Sequence, residues 1–320
     1  VSVYRHPLMR QADAIDIIGV NGDICRIQGP DIDASTWGPE LAPRSTGLFD
    51  LAFKSNWTKG SFGSVFQSWS PARRDIVFTV HILNPATGDD LENDPDLWHS
   101  IYSRWKALWS IEQETTIAYT SVDGTRTLGV RLLQATKSFG TQQFEGIDPH
   151  VLLYGSVQMT VAAEIPFYVG NTDVYTWEGT GTSSWFTLPY YNPATFMSWP
   201  EWVLSDQAQW VVPDYSFGWE EYGRGQADLG KTVASPLLLS GEIIHWTSRP
   251  DLEPIIAANG APVGNRMAGR ALEYPIQPGA GDPNSGCTVR VSNVTNPAGA
   301  RCELHLPRWY LEPFSTPLVV

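Results

Sequence analysis

Only one window of this 320-residue chain carries apolar residues at helical spacing. Leu97, Trp98, Ile101, Trp105, Leu108 and Trp109 share one face of a helix predicted from 96 to about 112. Asn93 and Asp94 are N-cap candidates, and Pro95 suits the first turn. A three-Trp stripe at this spacing is what packing on a sheet demands, so it reads as core and not as a ligand platform. Everywhere else, short β-prone runs alternate with Gly, Pro and Asn turns, which restricts the chain to a mainly β fold.

The order of these runs divides the chain. Ala14–Ile18 and Ile24–Ile27 flank Asn21-Gly22, a pair predicting a type I′ hairpin over 16–28. Residues 34–72 are rich in Gly, Ser, Pro and aromatics without sustained periodicity, and read as a long loop or an arm that orders against a partner. Arg74–Ile82 places Ile76, Phe78, Val80 and Ile82 on one face at period two. Asp123-Gly124 predicts a second hairpin between 115–120 and 126–133, and 151–163 alternates again. Asn171 to Ser184, rich in Gly, Thr and Ser, reads as a domain junction, giving domains 1–169 and 170–320. The second predicts strands near 184–188, 202–204, 209–212, 227–235, 237–239, 243–247, 272–276, 288–292 and 302–306, the pattern of an antiparallel sandwich or barrel.

Composition narrows function. With 21 basic and 34 acidic residues the net charge is −13, which disfavours a nucleic-acid reader that works by counterion release. Charged residues are 17 %, against roughly 25 % in an average soluble domain, while 14 Trp suit large buried contacts. Three cysteines, Cys25, Cys287 and Cys302, are too few for a disulfide scaffold; Cys287 and Cys302 could pair, but reduced, buried thiols are the reading preferred. The chain has neither a run of about 18 apolar residues nor the apolar core of a signal peptide at its start, so no membrane partner and no conventional export are expected.

Motifs for catalysis are missing. The six histidines are scattered, with no zinc spacing, and no nucleophile elbow or triad pattern occurs. Gly179-Thr-Gly181 and Gly223-Arg-Gly225 read as turns, since no helix follows them. The run Asp89–Asp96 has Pro95 where a calcium loop wants Gly, and reads as acids near a helix N-terminus. Glu201, Glu220, Glu221 and Glu242 lie among Trp199, Trp202, Trp219 and Trp246, which leaves open a glycoside hydrolase or a sugar-binding sandwich. The sequons at Asn56 and Asn293 read as chance matches. No catalytic residue, metal or cofactor is expected.

The series of elements resembles the distal tail protein family of long-tailed, non-contractile bacteriophages, in the minor tail protein form of actinobacteriophages. The resemblance runs through Ile18–Gly22 with Gly29-Pro30, Arg74–Val80 leading to Trp98–Trp109, Asp123–Arg126, and Met159–Tyr168. It continues through Tyr191–Ala194, Trp199–Trp202, Thr247–Asp251, Asn259-Gly260, Arg266–Gly269 and Tyr274–Gly279. The segment 205–226 and the tail from Trp309 to Val320 exceed a minimal member of the family.

The resemblance implies an N-terminal sheet or sandwich with one helix that forms a hexameric ring, and a C-terminal galectin-like sandwich. The ring would join the tail tube protein to the hub or baseplate protein, the tape measure protein and receptor-binding proteins at the virion tail tip, after assembly in the host cytoplasm. The genome would pass through without specific nucleic-acid recognition. Ring interfaces favour aromatics and few charges. The interface candidates are therefore Trp37, Trp57, Phe62, Phe66, Trp69, Trp210, Trp219 and Trp309, with 34–72 as an inter-subunit arm. The alternative expectation is a carbohydrate-binding module contacting host envelope glycans.

Overall fold

The computed structural model describes residues 13–30, 38–43, 45–83, 95–138, 154–220 and 223–314. They form two compact units, one from Val1–Val169 with Leu311–Thr316 and the other from Gly170–Tyr310.

The first unit begins with β1 (Ala14–Ile18) and β2 (Ile24–Gln28). They pair antiparallel with Asp16 opposite Arg26, whose side chains meet through two bonds of 2.8 and 3.0 Å. The connection differs from a type I′ turn, which needs positive φ at both central residues. Gly22 alone has it (φ +83°), while Asn21 accepts the Asp23 N–H on its own Oδ1 at 3.1 Å. That side-chain turn stabilises a longer loop from Gly19 to Asp23.

After β3 (Pro39–Leu41), the strands β4 (Phe53–Gly60) and β5 (Gly63–Pro71) make a separate two-stranded ribbon. β6 (Arg74–Leu83) follows with Ile76, Phe78, Val80 and Ile82 all buried, as period-two alternation requires.

The helix α1 (Pro95–Ala107) is the one α-helix among the described residues. Trp98 and Trp105 are fully buried, the Trp98 indole N–H donates to the Ile82 carbonyl at 3.3 Å, and Trp109 tilts against Phe78. The stripe is core. The helix stops short of 112 because the Leu108 carbonyl is taken by the Val20 N–H at 3.1 Å and the Thr115 hydroxyl at 2.7 Å. These tertiary partners compete with the next helical turn for the same acceptor.

β7 (Thr115–Ser121) and β8 (Gly124–Leu132) form a hairpin across Val122-Asp123, with Gly124 at φ +105° as the first strand residue. β9 (Lys137–Ser138), β10 (Tyr154–Ala163) and β11 (Tyr168–Gly179) follow. The order β2-β1-β7-β8 forms one antiparallel group and β3-β6-β10 a second with β9 also on β10, and the two are joined where Leu132 and Arg131 of β8 pair with Val161 and Ala162 of β10. Ile15, Ile17, Ile27 and Ile117 of the first group and Leu41 and Phe78 of the second line one small internal cavity, so the two groups share a core.

The second unit is an antiparallel sandwich. It contains β12 (Ser184–Tyr191), β13 (Glu201–Leu204), β14 (Gln209–Pro213), β15 (Thr232–Ala234), β16 (Ile244–Thr247), β17 (Ile255–Ala257), β18 (Gly281–Ser292) and β19 (Ala300–Tyr310). One sheet runs β17-β16-β13-β19-β11, the other β12-β18-β14-β15. Trp202, Trp246 and Leu304 from the first and Trp210, Val289 and Val291 from the second meet in a single core. Each buried Leu, Val or Ile of this kind stabilises the unit by about 1.5–3 kcal/mol.

Several expected elements change. Asn171–Gly179, read as a junction, is the strand end of β11, with Tyr175 and Trp177 half-buried between exposed residues. Leu237–Leu239 joins no ladder, and within Leu272–Ile276 only Ile276 bridges Ser198.

All three cysteines are buried and free. Burial pushes the Cys287 thiol up to about 12 and that of Cys302 higher still. Since only the thiolate attacks, native protein at pH 8 is expected to leave Ellman's reagent uncoloured over an hour, with three thiols appearing on denaturation. Rapid native reaction would show that the thiols are accessible.

Candidate interaction surface

The β4–β5 ribbon is two-faced. Phe53, Ser55 and Trp57 alternate onto one side of β4, where Ser55 pairs with Trp69 and Trp57 with Phe66. Phe53 meets Trp69 edge-on at 6.4 Å, and Trp57 meets Phe66 at 5.3 Å. The opposite side is polar apart from Val65, with Asn56 donating to the Ser68 hydroxyl and Gln67 to the Thr58 hydroxyl, both at 3.0 Å. A bulge makes this possible. The register shifts between Asn56 and Trp57, so that Phe66 and Trp69, three residues apart, fall on the same side. Period two is thereby broken in the sequence, which is why 34–72 shows no periodicity.

At the ribbon's tip, Ser61-Phe62 forms a two-residue turn, Gly63 takes φ +113°, and the Phe62 ring is fully exposed. Trp57, Phe66 and Trp69 are 58, 48 and 44 % exposed. An isolated two-stranded ribbon is marginal in water, and four aromatics on one side of it form the kind of exposed patch that marks an interaction surface. Beneath them lies an open groove of about 540 Å³, bordered by Asp50, Leu51, Leu311 and Glu312.

Two buried arginines hold the C-terminal border of that groove. Arg74, with no exposed surface, donates to the carbonyls of Leu48 (3.4 Å) and Leu311. Its guanidinium lies 5.1 Å from the Tyr168 ring centroid, and the Tyr168 hydroxyl donates to the same Leu48 carbonyl at 2.9 Å. Burial lowers the Arg74 pKa and raises that of Tyr168. Arg126 donates to the Glu312 carbonyl at 3.0 Å, and Phe314 packs against Phe49 and Tyr119. The Arg74 Nε is buried without a partner, so its position is imposed by the surrounding packing.

The other interface candidates scatter. Trp210 has no exposed surface, sits in the sandwich core and donates its indole N–H to the Ser205 carbonyl at 2.9 Å. Trp309 is buried too, against Trp199 at 5.3 Å with the Arg249 guanidinium 4.7 Å from its ring centroid. Both are interior side chains of the second unit. Trp219 is half-buried in the loop after β14, and Trp37 lies outside the described residues.

The described residues of 205–226 are tied down by a polar cluster. Asp214, nearly fully buried, accepts the backbone N–H groups of Glu273 and Tyr274 and the Lys231 ammonium at 2.8 Å. Tyr274 donates to Asp228 at 2.8 Å, and Arg224 closes on Asp228 through two bonds of 3.0 and 3.1 Å. Burial raises the Asp214 pKa against the pull of Lys231; burial lowers that of Lys231, but the carboxylates of Asp214 and Glu273 leave it raised. The insert is thus built into the sandwich.

The candidate hydrolytic carboxylates have structural partners. Glu242 holds the Leu239 N–H and Arg266, Glu220 caps the Gly225 and Gln226 N–H groups, and Glu201 lies 3.8 Å from Arg249. Glu221 and 89–94 fall outside the described residues. Among the described residues no cluster of three His, Cys, Asp or Glu could hold a metal ion, and no helix is long and apolar enough to cross a membrane.

No protein-family model matches the chain. Its sequence is 25 % identical to the minor tail protein Gp27 of Mycobacterium phage L5 over 268 residues, covering 68 % of this chain and 74 % of the relative. To the minor tail protein Gp27 of Mycobacterium phage D29 it is 25 % identical over 317 residues, covering 82 % and 88 %. The solved structure of the Dit protein of phage SPP1, titled a paradigm of the hub adsorption apparatus in Gram-positive infecting phages, superposes with a TM-score of 0.52. That alignment spans 93 % of this chain and 98 % of Dit at 10 % identity, so it speaks to fold alone. The mainly antiparallel β architecture, the single described helix and these sequence relatives agree: the chain is similar in sequence to mycobacteriophage minor tail proteins and has a fold like that of the SPP1 Dit protein.

Proposed function

We propose that this protein is a non-enzymatic distal tail component whose first domain, 1–169, assembles into a hexameric ring between the tail tube and the tip. The observation that carries the reading is the ribbon of β4 and β5, with its aromatic side uncovered above an open groove. A heterologous ring contact presents two different surfaces per subunit, and the aromatic side of the ribbon with the groove it lines supplies one of them. The second domain, 170–320, is read as a galectin-like sandwich projecting from the ring. Its partners are then the tail tube protein on one side and the hub, tape measure and receptor-binding proteins on the other, in the virion tail tip. The net charge of −13 suits a conduit that DNA passes without adhering.

Light scattering and negative-stain imaging of the purified full chain test this reading. Six-fold rings are expected as protein concentration rises. A monomer at every concentration up to about 100 μM would overturn it, since a ring-forming contact of standard size should hold at that level.

A further inference from the structure

The outer side of the sheet β12-β18-β14-β15 carries an unusual set of side chains. Trp185 on β12 is 68 % exposed. Its direct partner across to β18 is Arg290, whose guanidinium lies 5.2 Å from the indole centroid. Thr187 opposite Thr288 and Gln209 opposite Ser292 flank that pair, and Val211 of β14 lies directly opposite Arg290. These seven positions include one cation, one aliphatic side chain and no carboxylate, on a chain with 34 acidic against 21 basic residues. The strands beneath are held by inward-facing Leu188, Trp210, Val289 and Val291, so the outward set sits on a rigid base.

We propose that this face binds a carboxylate-bearing saccharide, with one sugar ring stacked on Trp185 and the acid group held by Arg290. A sugar ring has an apolar C–H face matched by an indole, and its rim of hydroxyls needs donors and acceptors. The hydroxyls of Thr187, Thr288 and Ser292 supply both, while the Gln209 amide is already bonded to the Ser235 carbonyl and the Asn293 amide. A protein-binding hot spot instead surrounds its anchor with apolar side chains that exclude water; here Val211 is the one aliphatic side chain on these rungs, and its hydroxyl- and amide-bearing neighbours serve that purpose poorly. The guanidinium fork matches a carboxylate, and its stacking on Trp185 fixes the fork's orientation before the ligand arrives. The absence of carboxylates from these rungs leaves nothing to repel an anion. This site lies on the sandwich and is independent of the aromatic ribbon, so it stands whether or not the chain forms rings.

The test is calorimetric titration of the full chain with a hexuronate tetrasaccharide and with maltotetraose as its neutral counterpart. Binding of the hexuronate is expected, with maltotetraose about tenfold weaker or more, the loss of one charge-assisted contact. Trp185→Ser should abolish binding of both sugars. Arg290→Gln should weaken the hexuronate about tenfold and leave maltotetraose unchanged. Unchanged melting curves confirm that these outward substitutions leave the fold intact. The proposal is overturned if wild type binds neither sugar at 10 mM, a ligand concentration of about the weakest measurable affinity. It fails equally if both variants bind as wild type does, or if maltotetraose binds as tightly as the hexuronate. Sugar-independent self-association that Trp185→Ser removes would also overturn it, assigning the face to a second copy of the chain.

Discussion

The double variant Trp57→Ser, Phe66→Ser should abolish ring formation while leaving the subunit folded. Both side chains lie on the uncovered side of the β4–β5 ribbon, about half exposed, so the free subunit loses little when they are shortened. At a subunit contact each would be fully buried, and an aromatic anchor of this kind contributes about 2 kcal/mol or more. Two together weaken each contact by roughly a thousandfold, and because a closed ring needs all its contacts, the effect on assembly is steeper. Sedimentation velocity reads the outcome as a shift to monomer at concentrations where wild type is assembled. Lys54→Ala with Gln67→Ala, on the polar side of the same ribbon, should assemble like wild type. Rings that persist in the double variant would remove the ribbon from the interface.

The largest effect on stability is expected at Arg74. Arg74→Ala removes a fully buried side chain, its stacking on Tyr168 and its hydrogen bonds to two backbone carbonyls. The Leu48 carbonyl retains the Tyr168 hydroxyl, whereas the Leu311 carbonyl loses the charge-assisted bond from Arg74. Loss of that charge-assisted bond together with the cavity left behind costs about 2–4 kcal/mol. For a unit of this size the melting temperature should fall by roughly 5–15 °C. Arg74→Met separates the causes, since it fills most of the volume while relieving the burden of burying a charge; it should lose less than the Ala variant. Calorimetry of both variants checks this, and an unchanged melting temperature in Arg74→Ala would mean that the C-terminal segment is held by Phe314 and Arg126 alone. The sandwich contains none of these contacts, so any separate transition from it should not move.

Legibility in the sequence followed the range of the interactions involved. β6 was readable because Ile76, Phe78, Val80 and Ile82 alternate without interruption, and alternation is a local property of an extended chain. The helix was readable for the same reason, except at its end, where Val20 and Thr115 take the Leu108 carbonyl from far along the chain. The β4–β5 ribbon was hidden by its bulge, which moves Phe66 and Trp69 onto one side at a spacing that matches no regular period. β11 was read as a junction because its polar residues imitate a linker; its strand character comes from its neighbours in the sheet. Trp210 and Trp309 show the limit for the candidate surface. Composition marked both as sticky, and only the packing of two sheets revealed that each is already covered.

Turn chemistry, strand alternation and the single apolar helical stripe, all carried by residues within a few positions of one another, determined that this is a mainly β chain with one described helix and no motif for catalysis. The tertiary structure decided which of its many Trp are interior and which face outward: Trp202, Trp210 and Trp246 inside the sandwich, Trp57, Trp69 and Trp185 outside. An indole has the same propensity in either place. What separates the two is whether a strand distant in sequence arrives to cover it, and that depends on sheet pairing and register, which no local pattern encodes.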